Sequence, residues 1–200
     1  MKRLLTILIG VGGLLMLMQS NASAETKGFL SLRVGEALPN FVDSEGESTT
    51  GKGAATVGFT LGIQPSDLFR WDLVDFTYFS GEQSNPNRFP GLPNQYADGF
   101  SYSNMAIGTT MRWGYFGSDW KVHPYLTFGV AADRSIYEQR VNRESNWYFQ
   151  WNVGAGVEYE IFENFSLGAR YRFSETDFKR YDTKERSHKI SAELIVMLFK

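Results

Sequence analysis

The sequence predicts an all-β fold: an eight-stranded antiparallel transmembrane β-barrel, an up-and-down meander, preceded by a signal peptide. Three observations predict it. Beyond residue 24, apolar and polar residues alternate with a period of two, as they do when successive side chains point to opposite faces of a strand. The connections between these segments alternate long and short, as outer-membrane barrels do with long loops outside and tight turns in the periplasm. Aromatic residues make up 16% of the chain and glycine supplies twenty positions, a pairing suited to strands with lipid on one side and a crowded interior on the other.

The first element is the leader. Lys2 and Arg3 precede an apolar run from Leu4 to Met18, and Ala22-Ser23-Ala24 supplies small residues for cleavage. That layout is a secretory signal, too short for a comfortable spanning helix. Residues 1–24 are therefore expected to leave, and residues 25–200 (200 − 24 = 176) to form one barrel domain. Removing Lys2 and Arg3 leaves 18 basic against 22 acidic residues, a net charge of about −4. That balance excludes a nucleic-acid footprint. The chain has no cysteine, which excludes a lipoprotein anchor, a disulfide framework and a thiolate metal site.

Eight segments follow. Gly28–Glu36 alternates weakly. In the second, Ala55, Val57, Phe59, Leu61 and Ile63 oppose Thr56, Gly58, Thr60 and Gly62. Trp71–Ser80 and Tyr102–Trp113 are weaker. In the fifth, Leu126, Phe128, Val130 and Ala132 oppose Thr127, Gly129, Ala131 and Asp133. The sixth is clearest: Trp147, Phe149, Trp151, Val153, Ala155, Val157 and Tyr159 share one face. Tyr148, Gln150, Asn152, Gly154, Gly156, Glu158 and Glu160 share the other. In the seventh, Phe165 to Phe173 alternate with Ser166, Gly168, Arg170, Arg172 and Ser174. Glu185–Phe199 closes the series, with Ile195, Met197 and Phe199 on the face of Glu193.

Long connections are expected over Ala37–Lys52, Gly81–Gly99 (with Pro86, Pro90 and Pro93) and Arg134–Ser145. A moderate loop is expected over Phe178–Lys184. Short links are expected over Gln64–Arg70, Gly114–Lys121 and Ile161–Asn164.

A soluble sandwich or lipocalin-like barrel would alternate in the same way. Aromatics at segment ends argue for the membrane: Trp71, Trp113, Trp120, Phe162 and Phe165 fall at one end. Trp147, Phe100, Tyr102 and Tyr137 fall toward the other. The polar face is rich in Gly, Ser and Thr, which suits a narrow filled interior. About eleven residues at ~3.3 Å each, tilted ~40°, span roughly 27 Å, close to the ~25 Å apolar band of such barrels. An arginine on the lipid face near mid-membrane costs roughly 2–4 kcal/mol. Arg33, Asp75, Arg112, Glu158, Arg170, Arg172 and Glu193 are therefore expected to point inward as a paired network.

Val122-His123-Pro124-Tyr125-Leu126-Thr127-Phe128-Gly129-Val130, Val153 to Tyr159 and Asn164 to Arg172 resemble the OmpA-like transmembrane barrels, including small OmpX-like and opacity-type surface proteins. The resemblance spans essentially the whole mature chain and implies architecture, not an activity. It implies residence in the outer membrane of a Gram-negative bacterium and delivery by the outer-membrane assembly machinery. Outer-membrane lipids, including lipopolysaccharide, would be neighbours. Such barrels usually end on an aromatic residue, whereas Phe199 here is followed by Lys200, and no peptidoglycan-binding domain follows the last segment.

No residue pattern demands catalysis or a cofactor. The two histidines, His123 and His188, lie far apart, so a metal site is not expected. A lipid A acyl hydrolase would need a serine, a histidine and an acid at the outer rim. Ser187, His188, Ser191, Glu185 and Asp182 supply the types without a His-x-Ser spacing, and residues three apart on a strand face opposite sides. Gly154-x-Gly156 inside a strand reads as room for neighbouring side chains, not as a phosphate loop. A small ion-permeable pore is disfavoured because eight strands enclose only enough space for their own side chains. The expected role is non-catalytic, structural or surface recognition, with a monomeric barrel presenting its loops to lipopolysaccharide or external partners. The exposed residues there are Glu45, Gly46 and Glu47; Phe89 and Tyr96; and Arg134, Arg140, Arg143 and Glu144.

Overall fold

The structure is a computed structural model describing residues 26–43, 46, 48–50, 52–83, 100–138, 143–178 and 183–199. The leader expected over residues 1–24 lies outside them, as do Glu45, Glu47, Phe89, Tyr96, Arg140 and Asp182. The described residues form nine strands: β1 (Lys27–Asp43), β2 (Ser48–Thr50), β3 (Ala54–Ser66), β4 (Phe69–Gln83), β5 (Phe100–Gly114), β6 (Val122–Glu138), β7 (Arg143–Phe162), β8 (Phe165–Phe178) and β9 (Thr183–Phe199). Eight of them pair antiparallel with their sequence neighbours, and β1 pairs with β9, so the sheet closes on itself. Closure leaves no sheet edge, which is the condition for a sheet to cross hydrocarbon. β2 is an addition to the expected eight and pairs only with the far end of β1, Asn40 to Val42.

The strands are longer than the alternation suggested. Ala37–Asp43, Arg134–Glu138 and Arg143–Ser145 are strand where loop was expected, and the first short link shrinks to Asp67-Leu68. The physical reason is that backbone groups need partners in water as well as in lipid, while alternation is written only where the two faces meet different solvents. Toward the strand ends the two faces no longer differ in polarity, as in Ala37–Asp43 where Leu38 is exposed and Phe41 buried, so the ladder continues and its period disappears. β7, with twenty residues, rises roughly 50 Å at ~3.3 Å per residue and ~40° tilt, about twice the ~25 Å apolar band.

The outer surface is greasy. Leu32, Val34, Val57, Phe59, Leu61, Ile107, Leu126, Phe128, Val130, Phe149, Val153, Val157, Leu167, Tyr171 and Ile190 are all exposed and point away from the lumen. At the short-turn end this belt finishes in Trp113, Trp120 and Phe162, all exposed. Phe165 packs 6.5 Å from Phe162, and Trp71 is half-buried with its indole N–H donating to Thr109 Oγ1 (2.6 Å). At the other end stands exposed Trp147. Tyr102, expected among the aromatics of that end, instead faces the lumen and is buried. It lies on the same face as Asn104 and Ala106, where its ring meets Phe41 and Phe79 edge-on at 6.3 and 6.0 Å. Glu193 and Ile195 both face inward and are buried, and β1 and β9 absorb a register shift beside Gly28 and Phe29.

Candidate functional site

The interior is where this chain concentrates its chemistry. Among the described residues, six cations (Arg33, Arg70, Arg112, Arg170, Arg172, Lys189) and six carboxylates (Asp72, Asp75, Asp133, Glu158, Glu185, Glu193) are buried inside the barrel. The formal charges therefore cancel, 6 − 6 = 0. Each ion would cost several kcal/mol to desolvate alone, so geometry decides whether the set is tolerable.

Arg112 occupies the centre with no exposed surface. Its Nε donates to Asp72 (2.8 Å), its Nη1 to Glu158 (3.1 Å) and Glu193 (3.0 Å), and its Nη2 to Glu193 (2.7 Å). Glu193 also accepts from Ser31 (2.7 Å) and Tyr125 (3.1 Å). Arg70 donates to Glu158 (2.5 Å) and to Gln64 (2.8 Å). One tier away, Asp75 accepts from Arg33, from Arg172 and from Thr110 (2.9 Å). Arg33 also donates to Thr60 (2.7 Å) and the Phe76 carbonyl (3.0 Å). Arg170 reaches Asp72 at 3.5 Å and Asp75 at 3.8 Å. In a third tier Asp133 accepts from Asn104, Gln150 and Thr176 at 2.8, 3.0 and 2.7 Å.

Arg33, Asp75, Arg112, Glu158, Arg170, Arg172 and Glu193, the seven residues assigned inward from parity, all lie in the first two tiers. Parity missed two members there. Asp72 and Asp75 are three apart, so strict alternation sends them to opposite faces. The structure turns both inward because β4 is irregular between Asp72 and Asp75 against β5, and between Leu61 and Gly62 on its β3 side, a bulge that resets the face. Arg70 was expected in a link but belongs to β4. Lys189 and Glu185 follow the parity of Glu193 along β9 and were legible from it.

Aromatic rings close the charged layer at both ends. At the short-turn end Phe116 folds back from its turn and is buried, 6.1 Å from Tyr125, with the Arg70 guanidinium 4.2 Å above its ring. Phe29 lies beside the same arginine at 5.5 Å. Gly156 makes room there: a Cβ would sit 2.4 Å from Tyr125 Cζ. The turn is tied down by Phe116 N–H to the Asp67 carbonyl (2.6 Å) and by Gln64 to the Phe116 carbonyl (3.4 Å). On its surface, Asp119 accepts from the Tyr115 phenol and raises that phenol above its ordinary pKa. At the opposite end Phe41, Phe79 and Tyr102 cluster, and the Tyr102 hydroxyl donates to the Lys52 carbonyl (3.2 Å).

Outside, near the long connections, polar side chains take over from the greasy belt. Arg134 stacks 5.9 Å over Trp147 and donates to Ser145 (2.9 Å). Lys184 and Arg186 reach Glu175 at 3.4 and 2.9 Å and keep nearly half their surface exposed. His188 points outward and pairs with the Tyr171 hydroxyl at 2.7 Å, whereas Ser187, Lys189 and Glu185 are buried on the inner face. Ser187 and His188 thus stand on opposite sides of the barrel wall. Ser191 directs its hydroxyl to the Arg170 carbonyl (3.5 Å). Among the described residues no group of three or more metal-ligating side chains converges.

Residues 9–194 match the family model described as outer membrane protein beta-barrel domain. The 25 kDa outer-membrane immunogenic proteins of Brucella canis and Brucella melitensis are 33% identical over 61 residues. That is 30% of this chain and 29% of theirs, so the match spans under a third of those relatives. Among solved structures, Neisserial surface protein A superposes with a TM-score of 0.58 at 17% identity, covering 84% of this chain and 97% of that one. The attachment invasion locus protein of Yersinia pestis, in complex with the heparin analogue sucrose octasulfate, gives 0.50 at 14% identity over 84% and 99%. At such identities the likeness is one of fold.

Proposed function

This chain belongs to the outer membrane protein β-barrel domain family, and from that premise we propose that it is a non-catalytic surface protein. Its barrel is a rigid, internally filled stalk, and its extracellular end makes contact with lipopolysaccharide or an external partner. The protein resides in the outer membrane. The observation that carries the reading is the division of polar chemistry. Inside, most of the charged groups pair with one another between two aromatic plugs. Outside, the strands run on past the apolar belt and carry Arg134, Lys184 and Arg186 beyond it.

Arg134 is the best placed of the three. Its guanidinium lies against Trp147, an aromatic at the belt's edge, and donates to a neutral serine, Ser145. A planar guanidinium fixed at that depth suits a phosphate oxygen. Lys184 and Arg186 share Glu175, which discounts their pull on an external anion.

The test is binding of lipopolysaccharide by the folded protein in detergent at low salt. A basic residue near an anionic lipid surface contributes about 1 kcal/mol. Replacing Arg134→Ala together with Arg186→Ala should therefore weaken binding by roughly tenfold or more. Equal affinity of the variant and the parent would remove the rim cations from the role. Failure of the parent to bind would leave an external partner as the proposed contact of the extracellular end.

A further inference from the structure

The middle tier of the lumen is crowded with cations. Arg33, Arg170 and Arg172 converge on Asp75, and the further carboxylates that two of them reach lie at longer range, Asp72 3.5 Å from Arg170 and Glu193 3.9 Å from Arg33. Beside them lies a cavity of about 20 Å³ lined by those three arginines, Lys189, Thr77 and Ser191 among others; no carboxylate lines it. Lys189 is buried beneath the upper plug, with its ammonium 4.8 Å from the Phe79 ring centroid. Three nitrogen atoms of the cavity's lining residues make no hydrogen bond: Lys189 Nζ, Arg170 Nε and Arg170 Nη2. All three are donors with no acceptor capacity. A buried donor left unpaired is costly, and a charged one more so.

We propose that the barrel lumen binds a monatomic inorganic anion of the halide class between Lys189, Arg170, Arg172 and Arg33. The volume admits a single particle on the scale of a water molecule, which excludes phosphate and sulfate. The chemistry of the lining selects between a water and an anion. A water would bring two donors of its own into a wall already dominated by donors, whereas a halide only accepts. Such an ion would accept from the unpartnered donors of Lys189 and Arg170 and tie β1, β8 and β9 together across the lumen. It would be a structural ion, held between the tiers and screened from both openings by the plugs.

The test uses the full-length folded protein in detergent. The temperature at which the folded band disappears on a gel is followed while chloride replaces gluconate at constant ionic strength. The parent's midpoint should rise with chloride concentration, and that rise should vanish in Lys189→Met. A parent midpoint independent of chloride would overturn the proposal, as would an undiminished rise in Lys189→Met. If Lys189→Met does not fold, crystals of the parent grown in bromide decide the matter by anomalous scattering. A bromide peak within hydrogen-bond reach of Lys189 Nζ supports the site, and peaks confined to the outer surface overturn it.

Discussion

Arg112 is the side chain on which the charge balance of the interior turns. Its guanidinium holds Asp72, Glu158 and Glu193 at once with no access to water. Removing one partner of a buried ion pair costs about 3–5 kcal/mol, chiefly because the remaining charge stays buried. Arg112→Ala is therefore expected to destabilise the folded barrel by at least that amount, measured by urea unfolding in detergent with folded and unfolded bands separated on a gel. A loss below 1 kcal/mol would mean the carboxylates find other cations. Arg112, Glu158, Arg170 and Arg172 were legible as inward because a charge facing lipid is penalised and each sits on a strand of unbroken period. Asp72 was not, because its direction is set by the bulge after it, and no residue type between Asp72 and Asp75 announces one. Arg70 was hidden for another reason: it falls in the stretch between Gln64 and Trp71, which reads as a short link.

At the scale of the strand, lipid exposure and depth are separable. Phe128 and Ile136 lie on the same outward face of β6, the first in the middle of the greasy belt and the second beyond Arg134. An arginine on the lipid face costs roughly 2–4 kcal/mol at the midplane and about 0–1 near the interface. Phe128→Arg should lose stability in the first range and Ile136→Arg in the second, each measured by urea titration in lipid bilayers. Equal losses would place the two positions in one environment. The same boundary explains which parts of the strands could be read beforehand. Trp147 to Tyr159 alternates because lipid and lumen differ so sharply, and its strand was clear at sight. Ala37 to Asp43 and Arg143 to Ser145 are equally hydrogen-bonded to their neighbours, yet in the first of them apolar residues lie on both faces, Leu38 exposed outside and Phe41 buried in the plug. Hydrogen bonding continues there without leaving a hydrophobic period behind.

At the scale of the whole molecule, β1 pairing with β9 turns a meander into a closed wall. Closure is what permits a greasy outside and an ionic inside to coexist, since no backbone group is left for lipid to meet. Eight alternating segments made that wall foreseeable, because an open sheet of them would strand two edges in hydrocarbon. The plugs were less foreseeable: Phe116 comes from a turn, and only the folded chain brings it under Arg70. The absence of cysteine allows a direct measurement of the wall. Single cysteines placed at each position from Leu126 to Ala132 can carry a nitroxide label in bilayers, with oxygen reporting lipid and a water-soluble nickel complex reporting water. Oxygen accessibility should be high at Leu126, Phe128, Val130 and Ala132 and low at Thr127, Gly129 and Ala131. An accessibility profile without that two-residue period, or one with water reaching Phe128 and Val130, would contradict a barrel whose apolar face meets lipid.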